Sequence, residues 1–149
     1  MILPIRKILC STDFSEAAEQ GVKAADELAR NFGADLYLVH VVAPLPTIPA
    51  GPAPTGFHIP SVLKEIKDTA LKSLEQLIKR EISMRVRIEP VVLAGDPASE
   101  IARKAEDLKA DLIVIATHGQ SGWKKLVAGS VTEKGVRLAP CPVLTIRKS

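Results

Sequence analysis

Short apolar runs alternate along the chain with stretches in which apolar residues recur every three or four positions. The short runs are too brief for helices and predict buried strands, whereas the longer repeats predict amphipathic helices. The runs predict five strands, over residues 6–11, 36–42, 86–93, 111–116 and 142–146. The repeats predict four helices, over residues 15–32, 63–77, 97–108 and 130–138. Strands that alternate with helices form a parallel sheet with helices on both faces, so we expect a single doubly wound α/β domain.

Glycine and proline refine these elements. Gly33 stands where a helix C-terminus favours glycine, and Asp96-Pro97 supplies an N-cap followed by a proline at the first helical position. Pro90 lacks a backbone donor, which places the third strand at a sheet edge. The stretch 43–60 holds six prolines and two glycines, so we expect an irregular flap there, near the carboxyl edge of the sheet.

Composition narrows the class of protein. The 149 residues are 46% apolar and 25% charged, which is typical of soluble globular domains and argues against membrane insertion. The N-terminal residues lack the apolar core of a signal peptide, so we expect a cytoplasmic protein. A net charge of +3 and five scattered aromatic residues do not indicate nucleic-acid binding. Cys10 and Cys141 have no CxxC partner and are interpreted as buried or half-buried thiols.

The candidate chemistry lies after the first and fourth predicted strands. In doubly wound sheets, ligands bind outside the carboxyl ends of the strands, where the strand order reverses. Gly119 and Gly129 would let backbone N–H groups approach an anion closely. Ser130 opens a predicted helix, whose N-terminus carries positive partial charge. A phosphate group is the ligand that this pattern favours.

A structural explanation stays open for the same residues. The segments 13–16 and 130–133 each fit a capping box, so Asp13 and Ser130 have roles without any ligand. His118 has no serine or aspartate at catalytic spacing, which gives little support for a general base. The two commonest nucleotide-binding motifs, GxxxxGK[ST] and GxGxxG, are absent.

The segment from Ala116 to Ser130 resembles the nucleotide-binding motif of the universal stress proteins. ATP-binding members carry a glycine, two residues, a second glycine, nine residues and then Gly-Ser or Gly-Thr. Here Ala116, Gly119 and Gly129-Ser130 stand in that register. The resemblance extends over nearly the whole chain, through the segments Lys7-Ile8-Leu9, Thr12-Asp13-Phe14-Ser15-Glu16, Val39-His40-Val41, Gly95-Asp96-Pro97 and Ala139-Pro140-Cys141-Pro142-Val143.

The resemblance implies the strand order 3-2-1-4-5, a homodimer and, in one branch of the family, ATP, with or without Mg²⁺, between the first and fourth strands. Asp13 and Val41 would lie along the adenine and ribose, and the glycine segment would hold the phosphates. The implied nucleotide-binding residues are Ser11, Thr12, Asp13, Val41, Ala116, His118, Gly119, Gly129, Ser130, Val131 and Thr132.

This sequence departs from the family pattern at two of these positions. Ala116 replaces the first glycine of the motif, and Ser11 replaces a proline that often precedes Thr-Asp. The methyl group of Ala116 is expected to narrow the approach to the ribose or phosphates without abolishing it.

The resemblance leaves two functions open. The first is an ATP-binding regulatory protein of the stress response that acts as a dimer; the second is a dimeric interaction module that binds no nucleotide. No residue is identified as a water-activating base, so we expect at most slow ATP hydrolysis. The homodimer is expected through the last strand, whose apolar residues Val143, Leu144 and Ile146 would otherwise lie at an unprotected sheet edge.

Overall fold

A computed structural model describes residues 3–43, 59–117 and 131–147. The strands are β1 (Lys7–Ser11), β2 (Asp35–Val42), β3 (Ile88–Ala94), β4 (Leu112–Thr117) and β5 (Val143–Arg147). The helices are α1 (Glu16–Phe32), α2 (Ile59–Glu81), α3 (Pro97–Leu108) and, after β4, α4 (Val131–Leu138). All nine predicted elements are therefore present in the predicted order.

The five strands form one parallel sheet in the order β3-β2-β1-β4-β5. Both the doubly wound fold and the strand order implied by the resemblance are confirmed. Pro90 pairs with Leu38 of β2, and among the described strands β3 lies at the edge of the sheet, as its proline predicted. β1 lies at the centre, where Ile8 pairs with Leu36 on one side and Leu112 on the other.

Helices cover both faces of this sheet and give it two cores. Val22 of α1 and Leu74 of α2 pack against Ile8 in the larger core. Ile101 of α3 packs against Leu9 in the second core. These helical side chains are almost fully buried, so apolar burial on both faces holds the sheet between the two helical layers.

Local signals explain where the helices begin and end. Ser15 caps α1, because its Oγ accepts from the Ala18 N–H at 3.2 Å. The capping box predicted with Asp13 as the cap is therefore misplaced by two residues. Gly33 ends α1 in the left-handed conformation (φ 65°), and Asp96 caps α3 by accepting from Ser99 N–H at 3.1 Å, both as predicted.

Some predicted boundaries are wrong by a few residues. α2 begins at Ile59, so Pro60 belongs to its first turn and not to a flap over 43–60. A proline fits there because the first N–H groups of a helix have no intrahelical acceptor. Residues 44–58 of the predicted flap lie outside the described residues.

The burial of the two cysteines confirms their interpretation as buried or half-buried thiols. Cys10 is buried, Cys141 is half-buried, and both are free. Burial raises the pKa of the Cys10 thiol to about 12, so this side chain is a neutral, packed group at physiological pH. Within the described parts of the chain, no helix is long and apolar enough to cross a bilayer.

Candidate functional site

The carboxyl edge of the sheet has a notch at the end of β1. Ser11, the last residue of β1, pairs with Val39, while β2 continues three residues farther to Val42. On the other side, Cys10 pairs with Val114, so β4 continues beyond β1 to Thr117. Because the strand order reverses between β1 and β4, the notch lies at the topological switch point, where open α/β sheets bind ligands.

Side-chain alternation assigns the notch residues to the two faces of the sheet. Leu9 and Val39 belong to the core under α3. Ser11 and Val41 lie two residues farther along the same strands and therefore share that face, where Val41 packs against the core. Thr117 lies two residues beyond Ile115 on the same face of β4. The structure therefore brings two of the predicted site residues, Ser11 and Val41, close to the switch point.

A hydrogen-bonded turn over residues 12–15 closes the end of β1. Thr12 is buried, and its N–H donates to the Val39 carbonyl at 2.9 Å. Its Oγ1 accepts from the Phe14 N–H at 3.1 Å, and Asp13 Oδ1 accepts from the Ser15 N–H at 2.9 Å. Both side chains therefore hold the turn, and Asp13 lies exposed at the rim of the notch. This structural role is compatible with ligand contact through the backbone of the same turn.

Ala116 lies on the opposite face, which changes the expected effect of its methyl group. The residue has the same orientation as Val114, a member of the core under α1. A Cβ placed on Gly21 of α1 would come within 3.1 Å of the Ala116 Cβ and 3.3 Å of its backbone nitrogen. The methyl group therefore packs against a glycine in α1, and this glycine makes the room that an alanine at position 116 needs.

α4 follows the glycine segment and is tied to α3 by an ion pair. Lys134 Nζ lies 2.9 Å from Asp96 Oδ2, and both groups are about half exposed. Hydrogen bonds from Ser99 and from Lys134 lower the pKa of Asp96 from 3.8 to about 2. In a parallel sheet, helices run back toward the amino ends of the strands. The first turn of α4 therefore lies at the carboxyl edge, on the face of Val41.

The remaining predicted phosphate-binding residues are described only in part. His118, Gly119, Gly129 and Ser130 lie outside the described residues. Val131 and Thr132 open α4, although their side chains are not described. The predicted helix start at residue 130 therefore agrees with the described helix to within one residue.

Two residues near the notch were missed in the sequence. Thr117 is the last residue of β4, one residue beyond the predicted end of this strand at residue 116. His40 lies in the middle of the apolar β2, and its Nδ1 lies 2.8 Å from the Thr12 carbonyl oxygen. A polar residue that interrupts an otherwise apolar strand was the available signal for His40, since such a group needs a hydrogen-bond partner when buried.

An open groove of about 520 Å³ lies at the opposite, amino end of the sheet. Its charged lining residues are Arg30, Asp35, Arg85 and Arg87. Arg87 lies 3.8 Å from Asp35, and Arg30 is paired with the buried Asp26 at 3.0 Å. Two of its three arginines are thus paired with carboxylates of the fold, so this groove fits an anion less well than its charge suggests.

Comparison with known proteins identifies close relatives. The model of the "Universal stress protein family" matches residues 4–147. A universal stress protein of Methanocaldococcus jannaschii is 35% identical over 143 residues, covering 96% of this chain and 82% of that protein. The universal stress protein YxiE of Bacillus subtilis is 31% identical over 145 residues, covering 95% of this chain and 98% of the relative.

A solved structure adds a ligand to the comparison. The universal stress protein from Archaeoglobus fulgidus in complex with dAMP superimposes with a TM-score of 0.61 at 25% identity. The superposition covers 98% of this chain and 99% of that protein.

Proposed function

The chain belongs to the universal stress protein family, and we propose that it binds an adenine nucleotide, ATP in particular, at the notch beyond β1. The observation that carries the proposal is the shape of the carboxyl edge. β1 ends short of both neighbours at the point where the strand order reverses, and α1 and α4 begin at the same edge. The dAMP complex of the Archaeoglobus fulgidus relative supports an adenine nucleotide as the ligand.

The described residues suit the base and the ribose. Val41 offers an apolar surface on the α3 face, and Ser11 offers a hydroxyl beside it. The turn over residues 12–15 presents backbone groups at the rim, held in place by Thr12 and Asp13. Such preorganised polar groups around an apolar wall are typical of small-molecule sites.

The phosphates are assigned to the segment that leads into α4. Gly119, Gly129 and Ser130 would supply close backbone donors, and Thr132 would add a hydroxyl. The first turn of α4 contributes backbone N–H groups and the positive end of its dipole. Mg²⁺, where present, would arrive with the triphosphate and neutralise part of its charge. We propose that Ala116 does not block this approach, because its methyl group packs toward Gly21.

The biological role that fits this site is regulation of the stress response in the cytoplasm, with nucleotide occupancy as the signal. The supporting feature is that the groups assigned to the ligand are mainly backbone groups, which can bind a nucleotide but do not transfer protons. Among the described residues we identify no general base at the notch, so any ATP hydrolysis would be slow. The alternative is an interaction module of the same fold that binds no nucleotide.

Nucleotide titration tests the proposal. Isothermal titration calorimetry on protein stripped of bound nucleotide should give a micromolar Kd for ATP. This Kd corresponds to a binding free energy on the order of −8 kcal/mol. Gly129→Val should abolish binding, because a branched side chain prevents close backbone approach. Gly33→Asn is the matched control, since asparagine tolerates the left-handed conformation of this residue at the far end of the sheet. No heat with millimolar ATP and Mg²⁺ would favour the interaction module.

We further propose a homodimer through β5. This strand is an edge of the sheet, as predicted. Leu144 has 38% of its surface exposed, whereas Val143 and Ile146 are partly covered by the two cores. The apolar row expected at the edge is thus reduced to one clearly exposed side chain, and pairing of two β5 strands would cover it.

Light scattering tests the dimer. The wild-type chain should scatter with twice the 16.0 kDa mass of one chain. Leu144→Lys should shift the population toward the monomer, because it buries a charge in the pairing strand. Leu71→Lys is the matched control, since Leu71 lies on α2 with nearly the same exposure, 37%. A wild-type mass of one chain at tens of micromolar protein would contradict the dimer.

A further inference from the structure

His40 connects β2 to the turn that closes β1. Its Nδ1 lies 2.8 Å from the carbonyl oxygen of Thr12. A carbonyl oxygen only accepts, so Nδ1 carries the hydrogen and donates it. Two further side-chain hydrogen bonds of this turn, from Phe14 N–H to Thr12 and from Ser15 N–H to Asp13, each span only two residues. His40 therefore supplies a side-chain bond that fixes the turn relative to the sheet.

Phe14 holds the imidazole ring in place from the other side. The two ring centroids lie 4.5 Å apart with a tilt of 38°. Phe14 has a φ of 66°, a left-handed conformation that a bulky residue rarely adopts. Such a conformation persists only where the surroundings fix it, and it clusters at functional sites. The ring contact therefore accompanies a strained turn next to the notch.

The imidazole contacts the turn from the sheet face covered by α1 and α2, which is opposite to the face of Val41. His40 follows Leu36 and Leu38 in the alternation of β2, and these two leucines belong to the core under α1 and α2. Val41 has the opposite orientation and packs against the core under α3. A nucleotide on the Val41 face would touch the turn but not the imidazole.

We propose that His40, held by Phe14, is a positioning residue that sets the Thr12–Asp13 turn for the adenine and ribose of the nucleotide. This inference rests on the proposed function, because it assigns the turn to the ligand. Preorganisation of a binding turn raises affinity by removing the ordering cost that the ligand would otherwise bear. Loss of the His40 bond should thus weaken nucleotide binding without removing any atom from the site.

The first test measures ATP affinity in two variants. His40→Leu keeps an apolar side chain but removes the donor, and should weaken ATP binding about 3- to 10-fold, the effect of one hydrogen bond. His40→Asn places an amide donor near the position of Nδ1 and should recover affinity to within about twofold of wild type. If His40 acted only by filling space, His40→Asn would not bind ATP more tightly than His40→Leu. Equal affinity of wild type and His40→Leu would overturn the inference.

The second test needs no nucleotide and separates this inference from the proposed function. Amide hydrogen exchange at Phe14 and Ser15 should be several-fold faster in His40→Leu than in wild type, while exchange in the central strands β1 and β4 stays unchanged. If the wild-type chain binds no ATP, the proposed function fails, yet faster exchange at these two amides still supports the role of His40 in ordering the turn. Unchanged exchange at both amides overturns it.

Discussion

The two ends of the sheet are built from the same strands but are closed in different ways. At the amino ends, residues far apart in sequence bind one another: Asp111 Oδ2 accepts from the backbone N–H groups of Arg6 and Lys7 at 2.8 and 3.0 Å. Lys7 Nζ also donates to the Leu108 carbonyl at 3.1 Å. At the carboxyl ends, Thr12 and Asp13 each accept from a backbone N–H only two residues ahead, and His40 reaches the same turn from β2.

This difference suggests a division of roles, in which the amino ends of the strands contribute to stability and the carboxyl ends to ligand binding. Long-range bonds at the amino ends join β1 to the segment before β4. At the carboxyl ends, β1 stops before its neighbours β2 and β4, and local hydrogen bonds hold the turn after β1 at the rim of the resulting notch. A substitution at the amino end should therefore change folding, and one at the carboxyl end should change binding.

Asp111→Ala should produce the largest effect and should act on stability alone. The change removes an anionic acceptor from two backbone donors, so we expect a loss of about 2 kcal/mol in the free energy of unfolding. Urea denaturation measures this loss, and Asp107→Ala on the surface of α3 is the control. ATP affinity should stay within about twofold of wild type. A large change in affinity would contradict the division between the two ends.

Gly21→Ala should produce a smaller effect, and this effect should appear in binding. An alanine in the helix interior gains about 1 kcal/mol of intrinsic propensity over glycine. Its Cβ would nevertheless meet the Ala116 Cβ at 3.1 Å and push the end of β4 toward the notch. We expect ATP affinity to fall several-fold, and Ala116→Gly in the same chain to restore it. Additive effects of the two changes would show that Gly21 and Ala116 do not share this contact.

Asp96 should contribute the smallest effect, and the pH dependence of this effect should appear only in acid. Its pKa in the folded chain is about 2, below its ordinary value of 3.8, because of hydrogen bonds from Ser99 and Lys134. The stabilisation is therefore complete above pH 3.8 and is lost as the pH falls toward 2. The stability difference between wild type and Asp96→Asn should shrink between pH 5 and pH 2.5 in urea titrations. A difference independent of pH would contradict this.

The sequence predicted the fold well because periodicity and burial determine it. Apolar runs identified all five strands, and Pro90 placed β3 at the edge. The turn after β1 was less predictable, since Asp13 and Ser15 are both good caps and only geometry decides between them. His40 was missed because its hydrogen-bond partner is 28 residues away in sequence.

The contact between Ala116 and Gly21 was also not predictable from local sequence patterns. From the sequence, its methyl group was expected to narrow the approach of a nucleotide. That expectation lacked the position of Gly21, which lies on another element and becomes a neighbour only when α1 packs on the sheet. Contacts between elements that are distant in sequence are thus the part of the site that local patterns do not reveal.

Hydrogen exchange with and without saturating ATP tests the central claim most directly, because it reports on both ends of the sheet in one experiment. The account predicts slower exchange at residues 11–15 and at the first turn of α4. It predicts no change at residues 30–35 and 85–87, which surround the arginine-lined groove. Protection at that groove without protection at the notch would contradict the proposal that this fold recognises its nucleotide at the carboxyl ends of β1 and β4.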